Sequence, residues 1–399
     1  MPVEDRGEDM RCDFDEVIDR SGHHAAKYDE RGKKFGRADV IPLWVADMDF
    51  RAPQPVIDAL ADKARHGIFG YTYRPDSYFE AVRDWQLRRN GWRIDTSMMS
   101  FCIGVVPALS AIVHEFTEDG DKVLIQTPVY PEFEDSIRAW DRELIVSPLA
   151  ENSGSYSVDY EDFERALAQK PKLFILCSPH NPVGRVWSAG ELERMCGLCA
   201  AHGVTIISDE IHSDLTLWGN KFIPTATLSP EIAANTISCT SGTKTFNLAG
   251  LQASTIVFPN REWKKRFDGF WSKFDIHRNN SFSVVAMEAA FRHGEEWLEQ
   301  LLRYIEGNVL FVSDFCGERI PKVKPNTPES TYLVWLDCRE LGMDDAALNE
   351  FMVQKAGLGL GSGVSFGKGG EGYMRLNAAC PRSVLEQALT KLEAAVNSL

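Results

Sequence analysis

Leu173-Phe-Ile-Leu-Cys177, Ser188-Ala-Gly-Glu191, Gly203 and Val204-Thr-Ile-Ile-Ser208 follow one another within a single stretch. The first and last are apolar runs of strand length, rich in aliphatic and β-branched residues. Between them, Ser188 followed three residues later by Glu191 matches a capping box, in which hydroxyl and carboxylate each satisfy a free backbone N–H. Leu192, Met195, Cys196 and Cys199 then fall on one helical face, and Gly203 stops the helix. Strand, helix and strand in this order read as a right-handed βαβ crossover, the unit from which parallel sheets are built.

Working outward, runs of the same texture recur at Lys122 to Gln126, Thr236 to Thr240 and Ala253 to Phe258. Alternation with helical patterns predicts an α/β domain whose sheet is mostly parallel and buried on both faces. From about Glu295 the texture changes. Longer amphipathic helices, Glu295 to Val312, Asp344 to Ala356 and Pro381 to Val396, surround one strand, Tyr332 to Cys338, and predict a smaller α+β domain. The expected division is an N-terminal segment 1–51 packing on both domains, a large domain 52–290 and a small domain 291–399.

Composition narrows the function. A chain of 399 residues, 44% hydrophobic and 25% charged, buries a sizeable core, and a formal charge of -15 without a basic run offers no footprint for nucleic acid or anionic membrane. No apolar stretch approaches membrane-spanning length, and the acidic start, Met1 to Met10, lacks the basic and apolar regions of a signal peptide. A cytoplasmic address and small-molecule partners are expected. Nine cysteines, an odd number, point to reduced thiols used as core filler.

Four short motifs each follow a predicted strand: Thr127-Pro-Val-Tyr130, Ser178-Pro-His-Asn-Pro-Val-Gly184, Ser208-Asp-Glu-Ile-His212 and Ser241-Gly-Thr-Lys244. Ligands of open α/β sheets bind at that C-terminal edge. Read together, the motifs suit pyridoxal 5'-phosphate, which needs an amine for a Schiff base, an acid under its ring nitrogen, donors at its phenolic oxygen, a flat surface and a phosphate cradle. Lys244 offers the amine and Asp209 the acid; Asn181 and His212 can reach the phenolic oxygen, and Tyr130 can lie against the ring. The helix opened by Gly104-Val105-Val106-Pro107 presents free N–H groups to a phosphate, with Ser241 adding a hydroxyl. Arg375 is the natural fork for a substrate α-carboxylate. Each has a plainer reading alone: surface lysine, helix N-cap aspartate, structural histidine, core tyrosine, surface arginine.

Two further patterns carry less. Gly367-Lys-Gly-Gly-Glu-Gly372 satisfies GxGxxG but precedes a strand-like run, the reverse of a dinucleotide site. Cys196-Gly-Leu-Cys199 lies inside the helix above and has no second pair to complete a zinc site.

These residues resemble fold-type I pyridoxal phosphate enzymes, and more narrowly the MalY/PatB group of cystathionine β-lyase-like proteins in the aminotransferase superfamily. The likeness runs through Phe14-Asp-Glu-Val-Ile-Asp19, Trp44-Val-Ala-Asp-Met-Asp-Phe50, Gly67-Ile-Phe-Gly-Tyr-Thr72, Gln126-Thr-Pro-Val-Tyr-Pro131, Pro179 to Trp187, Asp209 to Asp214, Lys244-Thr-Phe-Asn247 and Met374-Arg-Leu-Asn377. It implies a large domain with a seven-stranded, mostly parallel sheet, and it implies the roles above for Lys244, Asp209, Asn181, His212, Tyr130 and Arg375. Val105 and Val106 at the phosphate and Ala46 at the substrate belong to the same implication. So does a homodimer with shared active sites, Tyr71 reaching the partner's cofactor phosphate and assisting catalysis. Ser178, the Ser-Gly-Thr-Lys form of the lysine motif, Gln252 and Asn280-Ser-Phe-Ser-Val-Val285 depart from commoner patterns. Gln252 stands where many aminotransferases carry an arginine, which tilts the expectation toward β-elimination from an S-substituted L-cysteine. An aminotransferase and a regulatory protein that keeps the cofactor are the alternatives.

Overall fold

The computed structural model describes residues 12–399. The reading of Met1 to Met10, and the first part of segment 1–51, lie outside the described residues.

Seven strands form the main sheet: β1 (Met99–Cys102), β2 (Lys122–Ile125), β3 (Glu143–Val146), β4 (Leu173–Cys177), β5 (Thr205–Asp209), β6 (Thr236–Thr240) and β7 (Ser254–Val257). Their order is β1-β7-β6-β5-β4-β2-β3, with β7 antiparallel to both neighbours and the other pairs parallel. Six C-terminal strand ends therefore share one edge. β4 is buried throughout, as its uninterrupted apolar run requires.

The crossover forms as read. Ser188 and Glu191 complete a capping box at the start of α2 (Ala189–Ala201), α1 being Val105–Phe116, and the buried residues of α2 are Leu192, Met195, Cys196 and Cys199. Cys196 and Cys199 are thus core thiols; burial pushes Cys196 up to about 12 and Cys199 well above its usual range. The GxGxxG run forms turns instead of a strand-to-helix junction. Gly367, Gly369 and Gly372 have φ of 86°, 90° and 78°, the left-handed region open to glycine.

Some boundaries move. β5 extends to Asp209, because its backbone continues the ladder opposite Cys177 and Cys239. Asp209 is therefore a sheet residue and not a helix cap. The run Asp344 to Ala356 divides into an α-helix, Asp345–Glu350, and a π-turn, Phe351–Lys355. Phe351, Met352 and Val353 are buried in succession, which one α-helical face cannot achieve and a widened turn can. α3 runs Glu295–Arg319, beyond the expected end. Strands β1 and β3 had no periodic signal: Met99-Ser-Phe-Cys102 is mixed, and β3 is an edge strand with Glu143 exposed.

A second, four-stranded sheet is built on Leu333–Asp337 paired antiparallel with Tyr373–Asn377. The segment before residue 51 ties into both sheets' surroundings. Asn377 Nδ2 donates to the Val45 and Asp47 carbonyls, and Asn247 Nδ2 donates to those of Met48 and Phe50. Lys27 is fully buried there, its Nζ 2.8 Å from Asp49 and 3.6 Å from Asp47, while Arg20 clamps the same two carboxylates at 2.6 and 2.7 Å. A buried ammonium survives only when paired in this way. No helix among the described residues is long and apolar enough to cross a membrane.

Candidate active site

The shared strand edge brings the sequence motifs together. Gly104 and α1 follow β1, Tyr130 follows β2, Asn181 follows β4, Asp209 ends β5 and Lys244 follows β6. With Ala46 and His212, these residues line one cavity of about 230 Å³. A second cavity of about 530 Å³ adjoins it, sharing Ala46, Tyr130 and Lys244, and is lined by Arg375 as well.

Lys244 Nζ donates to the Ala46 carbonyl at 2.6 Å, and the Tyr332 hydroxyl donates to the same oxygen at 3.0 Å. Burial lowers the Lys244 pKa to about 8, opposed by the Asp47 carboxylate and reinforced by Arg375. Asp209 is buried with one hydrogen bond, from the Ile211 N–H at 3.1 Å, and burial raises its pKa to about 7. His212 is driven down to about 3, first by burial and then by the charges of Lys244 and Arg375, so its ring is neutral. Its Nδ1 has no hydrogen-bond partner among the described residues. Arg375 donates through Nη1 to Asn181 Oδ1 at 3.1 Å and through Nη2 to the Trp44 carbonyl at 2.8 Å, while its Nε is unpartnered. Burial pulls its pKa down to about 10.

Orphaned buried groups of this kind need a ligand to complete them. His212 Nδ1 and Arg375 Nε have no partner among the described residues, and no side chain caps the start of α1, where Val105 and Val106 line the cavity beside the buried Asp209 carboxyl. The donor set fits pyridoxal 5'-phosphate: amine, buried acid, neutral imidazole, amide and an uncapped helix start meet in one cavity.

Two expected residues stand apart. The Ser241 hydroxyl lies outside the cavity lining, because it donates to the Ala253 carbonyl at 2.6 Å and caps the Thr243 N–H at 3.1 Å; Thr243 lines the cavity instead. Tyr71 is not brought to this site: it is 97% exposed, its ring under the Arg278 guanidinium. Sequence reasoning missed Asp47, Tyr332 and Glu132. Asp47 stood in a quoted motif, but only its salt bridges and its charge on Lys244 show a role.

The pattern for aminotransferase class I and II matches residues 38–392. The chain belongs to this family. Within this family it is 43% identical to "Cystathionine beta-lyase PatB" of Bacillus subtilis over 96% of the chain and 100% of that protein. It is 32% identical to "Protein MalY" of Escherichia coli over 97% of the chain and 99% of that protein. Among solved structures, the PLP-bound C-S lyase from Staphylococcus hominis superposes with a TM-score of 0.90 at 33% identity, covering 97% of this chain and 98% of that one. The MalY/PatB resemblance and the α/β aminotransferase fold are thereby established.

Proposed function

We propose that the chain is a pyridoxal 5'-phosphate-dependent carbon-sulfur β-lyase that converts L-cystathionine or a related S-substituted L-cysteine to a thiol, pyruvate and ammonia. The observation that carries this reading is the meeting of the buried Lys244 amine, the Asp209 carboxyl and the Arg375 fork around adjoining cavities, in a chain 43% identical to a protein named cystathionine β-lyase.

Lys244, Asp209, Asn181, His212, Tyr130 and the Val105–Val106 start of α1 would hold the cofactor. Bound there, it supplies an electron sink that makes the substrate's Cα–H acidic. Arg375 takes the α-carboxylate, its unpartnered Nε giving it a donor to spare. Lys244 Nζ, with a pKa of about 8, carries enough neutral amine near pH 7 to accept the Cα proton. The electron pair released expels thiolate from Cβ, and water converts the remaining fragment to pyruvate and ammonia. The neutral His212 ring adds no cation beside Lys244, so the amine is not driven further from protonation.

A homodimer in the cytoplasm completes the proposal. Ile68, Phe69, Tyr71 and Tyr73 are exposed together on one segment, a surface suited to a second copy and to delivering Tyr71 to that copy's phosphate site. Residues 52–290 are assigned to the cofactor-binding body, 291–399 to the smaller body, and residues up to 51 to the strap across them.

The deciding experiment measures pyruvate and thiol from L-cystathionine and S-ethyl-L-cysteine, with and without 2-oxoglutarate. Equal yields without the keto acid support the lyase, and K244A should abolish them. Turnover that requires the keto acid would make the chain an aminotransferase.

A further inference from the structure

The larger of the two cavities, about 530 Å³, continues from Lys244 and Arg375 toward the rim formed by Trp44 and Lys34. With a substrate's Cα at Lys244 and its α-carboxylate at Arg375, this remaining space is open to the group on sulfur. Its lining contains a single acid among the described residues, Glu132. Glu132 begins the helix Glu132–Arg138 directly after the Tyr130 turn, so its side chain is anchored next to the ring-facing tyrosine. Its Oε2 is buried without a hydrogen-bond partner among the described residues. A buried carboxylate oxygen left so is unfavourable until a donor meets it.

The cations nearby do not fill that need. Glu132 lies close enough to bear on the titration of Lys244 and Arg375, and the Tyr130 hydroxyl is near enough to interact with its carboxylate yet makes no hydrogen bond to Oε2. In the working enzyme, however, Lys244 is committed to the Cα proton and Arg375 to the carboxylate. Lys34 is exposed at the rim, its Nζ 5.6 Å from the Trp44 ring centroid, where solvent screens it. The inward acid is thus left facing the space for the sulfur substituent.

We propose that Glu132 selects substrates whose sulfur substituent carries a cationic nitrogen, such as the ammonium of a second amino-acid head or of an aminoalkyl chain. The proposal rests on the lyase reading above and names the substrate class of that same site. An apolar S-alkyl group would leave Oε2 unmatched, and an anionic one would meet it with repulsion.

L-Lysine and L-norleucine test this without turnover, because neither has a leaving group on Cβ and their chains match S-(2-aminoethyl)- and S-ethyl-L-cysteine in length. Calorimetric titration of the holoenzyme should show L-lysine binding about tenfold tighter than L-norleucine, the worth of one charge-assisted bond. E132Q should bring that ratio close to one. The kcat/KM ratio for S-(2-aminoethyl)- over S-ethyl-L-cysteine should fall by the same factor. Equal or tighter binding of L-norleucine to the native enzyme overturns the proposal, and this arm stands even if E132Q fails to fold. An unchanged ratio in a folded E132Q also overturns it. Absence of pyruvate from every S-substituted cysteine would count against the lyase reading, whereas the binding ratio judges Glu132 by itself.

Discussion

Replacing Arg375 by methionine should remove most activity while leaving the fold at least as stable. Arg375 is buried, only 6% exposed, and burial depresses its pKa from 12.5 to about 10. At about 1.4 kcal/mol per unit, the native state bears roughly 3 kcal/mol for holding this charge. The variant loses bonds to Asn181 Oδ1 and the Trp44 carbonyl, each worth about 1 kcal/mol, and keeps most of the side chain's apolar packing on Phe366, 4.8 Å away. The balance is a gain of about 1 kcal/mol. Because folding depresses this pKa, the penalty is present in full below about pH 10 and fades only toward 12.5; the gain should therefore be equal at pH 6 and pH 8. Catalysis should move the other way. Stranding a substrate carboxylate without its partner costs about 3–5 kcal/mol, so kcat/KM should fall by about two to four orders of magnitude. Thermal unfolding at the two pH values, with kcat/KM for S-ethyl-L-cysteine, measures both. A loss of activity below tenfold would refute the carboxylate role, and a destabilisation beyond about 3 kcal/mol would show Arg375 to be a structural support.

Two other variants test separate features. Mixing Y71A with K244A subunits should restore roughly a quarter of native activity, since half of randomly paired dimers have one intact site, whereas each variant alone is inactive or nearly so; no recovery after subunit exchange would refute a Tyr71 shared between copies. Glu210 is fully buried, and burial raises its pKa to about 7 despite bonds from the Thr225 N–H at 3.1 Å and the Ser238 hydroxyl at 3.4 Å. A raised carboxyl pKa makes its stabilising contribution largest at low pH and lost as pH rises from about 4.5 to 7. E210Q should gain on the native protein across that window, by up to about 3 kcal/mol at pH 8 relative to pH 4. Parallel stability curves for the two proteins would contradict this.

Local periodicity made the crossover legible, because the capping box and the face of Leu192, Met195, Cys196 and Cys199 depend only on residues within a turn or two of each other. The motif residues were legible for a related reason: Tyr130, Asn181 and Lys244 sit just past a strand and Asp209 ends one, and parallel strands deliver their ends to one edge. Ser241 shows the limit of that logic, since being at the edge did not reveal that Ala253 would take its hydroxyl proton.

By itself the sequence determined the α/β alternation and the mostly parallel sheet, and it singled out the lysine, aspartate, asparagine and arginine that line the adjoining cavities, all through short-range pattern and chemical type. Only the tertiary structure decided which groups were left without partners. The strap carrying Ala46 and Asp47 reaches Lys244 from 198 residues away, Arg375 meets Asn181 across 194, and Glu132 faces a cavity shared with the second sheet. Burial, charge proximity and an unmet hydrogen bond arise when distant segments pack, and no local pattern in the chain encodes them.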